Sequence, residues 1–365
     1  MIKVIHVISD TNIGGAGRWI LNLLKYIDRE KFLVKVIIPR GSLLKQEIQS
    51  LDTEVIEVPG MADRSFDLKA IGSLYKIFLR EKAQIVHTHA SLSARIAAKM
   101  AGVKRIVHTK HCIDLDIKKG IGTKIGAAVN ALLSDKMIAV GLAAKENLIQ
   151  SGIPENKILV VHNGVEPLEE IPPEQKEKLK SKWMIKDGDT VIGIVARLEE
   201  IKGHTYFIEA AARVAGIREN VKFIIAGTGS LEKQLKEKVK DLGLEQKVIF
   251  TGHVQKVAEV MNIIDIVVIS SLSEALCLSL VEAMSLAKPC IATDTGGNPE
   301  VVEDGCNGLL VPVKNPEQLA EAMIRLVDDP DLRRKMGEKG KKKMYSNFTS
   351  EIMTRKIEKI YGELI

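Results

Sequence analysis

The sequence predicts an α/β protein built from two consecutive, doubly wound parallel sheets. Three observations carry that reading. The chain has 365 residues, more than one ordinary core organises and a natural length for two domains. Short apolar runs alternate with amphipathic helical stretches from end to end, a pattern that demands crossover helices and parallel strands. Glycine-rich and charged motifs fall where those strands end, and open parallel sheets bind ligands beyond their carboxyl ends.

Taken in order, the first sheet is expected to use Lys3–Ile8, Val34–Ile38, Glu54–Val58, Ile85–His87, Arg105–Thr109, Lys136–Val140 and Ile158–Val161. The second would use Val191–Ala196, Lys222–Ala226, Val248–Phe250, Ile266–Ile269, Pro289–Ala292 and Gly308–Val311. Pro167, Pro172 and Pro173 beside acidic residues mark a linker, with a polar helix from Glu174 to Lys182. The expected division is residues 1–165, a linker region 166–188, a second domain 189–345 and a terminal helix 346–365.

Composition narrows the function. Apolar residues make up 45% of the chain, mean hydropathy is close to zero, and no run is long enough to span a bilayer. Met1–Ile8 contains Lys3 and His6 and reads as a buried strand rather than a signal peptide. Cys112, Cys277, Cys290 and Cys306 have no zinc-like spacing, so reduced thiols in a cytoplasmic setting are expected. Residues 1–165 carry a net charge of about +9 and the remainder about −3. A basic half suits nucleic acid, anionic lipid or an anionic substrate. Aromatic residues at 4% leave little for base stacking, so nucleic acid is not expected as a partner. The basic stretch from Arg95 to Lys124, running into an amphipathic segment from Ile117 to Leu133, suggests an anionic membrane surface.

The most informative stretch is Glu274 to Glu282, two carboxylates separated by seven residues. If Leu278 onward is helical, Glu274 lies in the preceding loop and Glu282 a little over one turn inside. The two acids would then be at most roughly 12 Å apart along the axis, too far to share a metal ion or a proton. Between them lies a helix N-terminus at Leu278 and Ser279, whose free N–H groups favour an anion. A ligand with a polyol, a diphosphate and a second polyol in line matches that order, as a sugar nucleotide does. Upstream, Arg197 and Lys202 follow a strand and can converge on a diphosphate, neutralising charge as it leaves.

Other motifs exclude alternatives. Gly14-Gly15-Ala16-Gly17 fails the dinucleotide fingerprint, because Ile20 replaces the third glycine and no acid follows the second strand. It reads instead as a loop approaching a diphosphate or an acceptor. Gly227-Thr228-Gly229 lacks the lysine of a P-loop. Asp-x-Asp pairs, a pattern that can hold a divalent metal with a diphosphate, occur at Asp114/Asp116, Asp187/Asp189 and Asp329/Asp331. With Arg197 and Lys202 available, no metal and no other cofactor is expected. His87 and His89 are read as facing opposite sides of a strand, with His89 turned to the ligand.

These motifs make the chain resemble the retaining glycosyltransferases of family 4, which have the GT-B fold of two facing Rossmann-like domains. The resemblance rests on Glu274-x7-Glu282, Arg197-x4-Lys202-Gly203, Gly227-Thr-Gly229, Gly296-Gly297-x-Pro299-Glu300 and Asn307-Gly308-Leu309-Leu310-Val311-Pro312. They stand in the family's order across residues 190 to 315. Gly14-Gly15-Ala16-Gly17-Arg18, His87-Thr88-His89 and His162-Asn163-Gly164-Val165 match more loosely in the first half.

The resemblance implies a donor held mainly by the second half and an acceptor by the first. It implies a last helix, near Glu351 to Leu364, that crosses back to the first domain. Gly229 would line the nucleotide, Glu274 hold the donor sugar and Glu282 the ribose, while His111 would lie near the reacting sugar. Two positions depart from the family: Cys277 stands where glycine is usual and Gly141 where serine is usual. Cys277 should narrow the approach to the sugar or demand a different turn, and set a thiol of lowered pKa near the helix N-terminus. The expected function is retaining, metal-independent transfer of a sugar from a UDP- or GDP-sugar to a carbohydrate or glycolipid hydroxyl. A cell-surface polysaccharide, lipopolysaccharide or glycolipid would be the product. A sugar-nucleotide epimerase of the same fold and a non-catalytic scaffold are the alternatives.

Overall fold

A computed structural model describes residues 1–63, 65–114 and 121–365, without the side chains of residues 121–124. The chain divides into two compact units, Met1–Gly164 with Thr349–Ile365, and Val165–Phe348.

The first unit holds a seven-stranded sheet in the order β3-β2-β1-β4-β5-β6-β7. Its strands are β1 Ile2–Ile8, β2 Phe32–Pro39, β3 Glu54–Val58, β4 Ile85–His89, β5 Arg105–Lys110, β6 Lys136–Ala139 and β7 Ile158–Val160. The second unit holds six, β8 Thr190–Val195, β9 Val221–Ala226, β10 Val248–Gly252, β11 Ile266–Ile269, β12 Cys290–Thr293 and β13 Gly308–Val311. Their order is β10-β9-β8-β11-β12-β13. Every pairing is parallel.

The local causes are plain. Central strands such as Ile192–Ile194 and Val267–Ile269 are β-branched and buried on both faces, as a helix-covered parallel sheet requires. Gly193 interrupts the first of these because a Cβ there would stand 2.3 Å from Ile264 Cδ1. Helices start at polar caps: the Asp67 carboxylate accepts from the N–H groups of Lys69 and Ala70, and the Thr349 hydroxyl accepts from Ile352 N–H. Two of the Asp-x-Asp pairs serve local structure in the same way. Asp189 accepts from Lys186 N–H at 2.8 Å, and Asp329 caps the helix Pro330–Asn347. Asp116 of the third pair lies outside the described residues.

The terminal helix Ser350–Leu364 belongs to the first unit. Its Met353, Ile357 and Tyr361 join Trp19, Ile20 and Leu23 of the helix Gly15–Tyr26 in one apolar cluster. Leu, Ile and Met truncations in such a core typically cost about 2–5 kcal/mol, so this helix is part of the core rather than an appendage. Among the described residues no helix is long and apolar enough to cross a membrane.

Each sheet reverses its winding direction once. In the first the reversal lies between β1 and β4, and in the second between β8 and β11. Beyond the strand ends at such points, loops diverge to opposite faces and leave a crevice.

Candidate active site

The loops at the second reversal point carry the charged motifs. After β8 come Ala196, Arg197 and Leu198, then a single 3₁₀ turn, Glu200–Lys202, and Gly203 at φ +64°. A side chain at Gly203 would place Cβ 2.0 Å from the Ser270 carbonyl oxygen. That close approach stitches the β8 loop to the β11 loop. The Ser270 hydroxyl donates to Gly203 O at 3.0 Å, and Leu272 N–H donates to Ile201 O at 2.7 Å.

The stitching brings together two residues 72 positions apart. Lys202 Nζ donates to Glu274 Oε1 at 2.6 Å, and the Ser271 hydroxyl donates to the same oxygen at 2.7 Å. Glu274 is buried, with 9% of its side chain exposed against 19% for Lys202. Two donors on one nearly buried carboxylate oxygen fix its direction. Arg197 is exposed, and no carboxylate pairs with it among the described residues.

Glycines shape the rest of the crevice. Gly296, at φ +52°, packs where a Cβ would lie 1.9 Å from the Glu274 carbonyl oxygen, and Gly297 N–H donates to that oxygen at 2.9 Å. Gly229 runs against Leu198, whose carbonyl oxygen would be 2.4 Å from an added Cβ. The helix Leu278–Ser285 then begins with no side-chain oxygen capping it. The Ser279 hydroxyl is turned the other way, donating to Val195 O at 2.8 Å, which ties this helix to the end of β8. Glu282 lies on the second turn of that helix, buried.

Cys277 departs from expectation in two respects. Its φ of −80° is ordinary, so replacing glycine here demands no special turn. Its thiol is buried, and burial next to the Glu274 carboxylate pushes its pKa up to about 12 rather than down. Low dielectric and a neighbouring anion outweigh the helix N-terminus.

In the first unit, Gly14 and Gly15 open the helix Gly15–Tyr26 after β1. A Cβ on Gly15 would meet nothing within 4 Å, so internal packing does not require glycine there. His111 follows β5, beside Trp19, with ring centroids 6.0 Å apart. His87 and His89 share one face, contrary to the opposite-face reading; their rings stack with centroids 4.7 Å apart. Alternation with a period of two places residues i and i+2 on the same side. His6, directly opposite His87 in the sheet register, completes a buried cluster. One ring nitrogen from each of His6, His87 and His89 lies within 4.8 Å of the other two. All ring nitrogens of the three are occupied in hydrogen bonds to neighbouring rings or hydroxyls.

Sequence reasoning missed Ser271, His6, Thr109 and Tyr361. Ser271 was accessible in principle, three residues before Glu274. His6 looked like a polar exception in an apolar strand, and nothing local links Tyr361 to β1.

Part of the basic stretch expected to face a membrane is committed elsewhere. Arg95 is buried, with its guanidinium on Asn130 Oδ1 at 2.7 Å. Arg105 donates to Leu364 O and Lys110 pairs with Asp114. Lys118 and Lys119 lie outside the described residues, as does the side chain of Lys124, while Lys99 and Lys104 are exposed.

Comparison with known proteins agrees with this arrangement. The family described as Glycosyltransferase Family 4 matches residues 13–168, and that described as Glycosyl transferases group 1 matches residues 175–343. An Escherichia coli UDP-Gal:alpha-D-GlcNAc-diphosphoundecaprenol alpha-1,3-galactosyltransferase is 28% identical, covering 100% of this chain and 97% of its own. An uncharacterized glycosyltransferase of Methanocaldococcus jannaschii is 30% identical over 78% of this chain and 76% of its own. Among solved structures, Anabaena Alr3699/HepE in complex with UDP and glucose superposes with a TM-score of 0.87 at 21% identity, both chains being covered completely. Parallel sheets in both units, ordered motifs at their reversal points and relatives spanning the full length agree: the chain is a glycosyltransferase of family 4 with the GT-B fold.

Proposed function

We propose that this protein transfers a sugar from a UDP-sugar to a hydroxyl of a carbohydrate or glycolipid acceptor, with retention at the anomeric carbon and without a metal. The observation that carries the reading is the Lys202–Glu274 pair beside the uncapped helix N-terminus at Leu278. A cation, a helix N-terminus without a side-chain oxygen cap and a fixed carboxylate are gathered in one crevice, the groups that a diphosphate joined to a sugar demands. UDP-Gal in the name of the Escherichia coli relative and UDP in the Anabaena structure support uracil as the base.

In this reading Arg197 and Lys202 neutralise the departing diphosphate, and N–H groups at Leu278 and Ser279 help. Glu274 accepts from hydroxyls of the donor sugar, and Glu282 from the ribose diol. Cys277 contributes backbone and bulk rather than a reactive thiol, and Gly229 allows close approach of the nucleotide. Gly14 and Gly15 leave room for ligand in the first unit, where His111 meets the sugar. The leaving phosphate oxygen takes the acceptor's proton as the new glycosidic bond forms on the face the phosphate leaves. With two cations on the diphosphate, EDTA is expected to leave the rate unchanged. A glycan of the cell surface is the proposed product.

The test is a panel of UDP- and GDP-sugars, first by thermal shift and then by nucleotide release with and without acceptor. Ligand at 100 times its Kd stabilises the folded state by about 2.7 kcal/mol, a readily measured rise in Tm. No rise with any sugar nucleotide would overturn the reading, and a new free sugar nucleotide isomer without acceptor would favour an epimerase. A peripheral contact with anionic lipid, through Lys99 and Lys104, is a further part of the proposal. Equal sedimentation with anionic and neutral vesicles would remove it.

A further inference from the structure

A single file of hydrogen bonds runs through the first unit and ends at His111. Thr109 Oγ1 lies 2.6 Å from His87 Nε2, and His87 Nδ1 is 2.5 Å from the Tyr361 hydroxyl. That hydroxyl lies 3.1 Å from His6 Nε2, and His6 Nδ1 is 3.1 Å from His89 Nε2. His89 Nδ1 then reaches His111 Nε2 at 2.8 Å. His111 Nδ1 is buried and has no partner among the described residues.

A neutral imidazole has one N–H and one bare nitrogen, and a phenol has one O–H. Burial keeps the rings neutral: it lowers the pKa of His6 to about 3 and of His111 to about 4, and holds His87 and His89 well below the usual value. Every link must therefore point the same way, and the file has only two polarities. In one, Thr109 donates to His87, and each group donates onward until His111 carries its proton on Nδ1. In the other, all bonds reverse and His111 Nδ1 is bare. The reverse polarity leaves the Thr109 hydroxyl proton without an acceptor as well as His111 Nδ1 without a donor. The forward polarity leaves one orphan donor, the His111 Nδ1–H.

We propose that Thr109, His87, Tyr361, His6 and His89 are positioning residues that fix His111 as an Nδ1–H donor for an oxygen of the bound sugar. Part of this rests on the reading that the first unit receives the sugar; the tautomer itself does not. Buried donors without partners are rare in native proteins, and a ligand oxygen would satisfy this one. Tyr361 brings the C-terminal helix into the device, since its hydroxyl is the link between the β4 and β1 histidines.

Long-range 1H–15N correlation of the imidazoles reads the tautomer directly, with the His111 signals assigned from His111→Gln. The wild-type protein is expected to show His111 protonated on Nδ1. Tyr361→Phe keeps the ring but cuts the file, and Thr109→Val removes the hydroxyl that sets its direction. Each should lower the Nδ1–H to Nε2–H ratio at His111 by about tenfold, the scale of one lost hydrogen bond. Thr109→Ser should restore it. The same variants should lower kcat for donor turnover with donor KM unchanged. Wild-type His111 protonated on Nε2 would overturn the proposal, as would an unchanged His111 signature in Thr109→Val, which decides even if Tyr361→Phe fails to fold. A tautomer shift in a protein that turns over no sugar nucleotide would support the file and refute the transferase reading.

Discussion

Lys202 Nζ and Glu274 Oε1 meet at 2.6 Å across the two loops that leave β8 and β11. The pair gives the crevice its charge pattern and also holds the loops together. Lys202→Ala would leave the Glu274 carboxylate with Ser271 as its remaining side-chain donor. A charged group left short of partners in a buried place costs about 1–3 kcal/mol. Stability should fall by that amount in urea unfolding of the ligand-free protein. Lys202→Ala with Glu274→Gln should lose less than the two single changes added together. Additive losses would mean that the contact carries no coupling.

Gly203 and Gly296 are required by close backbone approach rather than by flexibility. Both have positive φ, and an added Cβ would lie 2.0 Å from Ser270 O or 1.9 Å from Glu274 O. Gly203→Ala and Gly296→Ala must therefore move the loops that carry Lys202 and Glu274. Nucleotide affinity should drop at least tenfold even where the fold survives, since misplaced clamps lose their geometry. Gly15→Ala meets open space at the first position of its helix and should leave the melting temperature within about 1–2 °C of wild type, because helical positions tolerate alanine. Equal losses of melting temperature at all three sites, read by calorimetry, would contradict this ranking.

Thiol reactivity should separate the cysteines by burial. Cys112 is exposed and Cys277 buried, with the Cys277 thiol pushed up to about 12. Alkylation of the native protein near neutral pH should mark Cys112 first, and Cys277 only after unfolding. Peptide mapping that found Cys277 modified as fast as Cys112 would place it in a different environment.

Much of this was legible in the chain. Runs such as Val191–Val195 and Ile266–Ile269 are β-branched and short, and each became a strand. Loop motifs after β8, β11 and β12 could be placed because strand ends are where parallel sheets present loops. The misses at Cys277 and Tyr361 share a cause. Whether a thiol at Cys277 is activated depends on how deeply its neighbours bury it, which local pattern does not record. The His6–Tyr361 contact joins residues 355 positions apart, and no periodicity carries such a pairing. His87 and His89 were misassigned although strand alternation alone would have placed them together.

Acid should unfold the first unit through its buried histidines. His6, His87, His89, His108 and His111 all have lowered pKa values, chiefly from burial. The folded unit therefore refuses protons that the unfolded chain takes up below 6.5. Stability is full above that value and is lost as pH falls towards about 3–4, by about 1.4 kcal/mol per pH unit for each such histidine. Trp19 reports on the first unit, so Trp183→Phe leaves one reporter there. Its urea midpoint should fall between about pH 7.5 and 5.5, and an unchanged midpoint would show that the histidines titrate normally.

The central claim is that Lys202, with Arg197, stabilises the charge of a departing diphosphate. Its most direct measurement is kcat for donor turnover by Lys202→Ala against wild type, in EDTA, under conditions where both proteins are folded. Loss of one such electrostatic contact typically lowers kcat by about 10²–10³. A fall of that size, with kcat/KM falling in parallel, is the expected result. Near-normal kcat in Lys202→Ala, or a wild-type rate abolished by EDTA, would contradict the account.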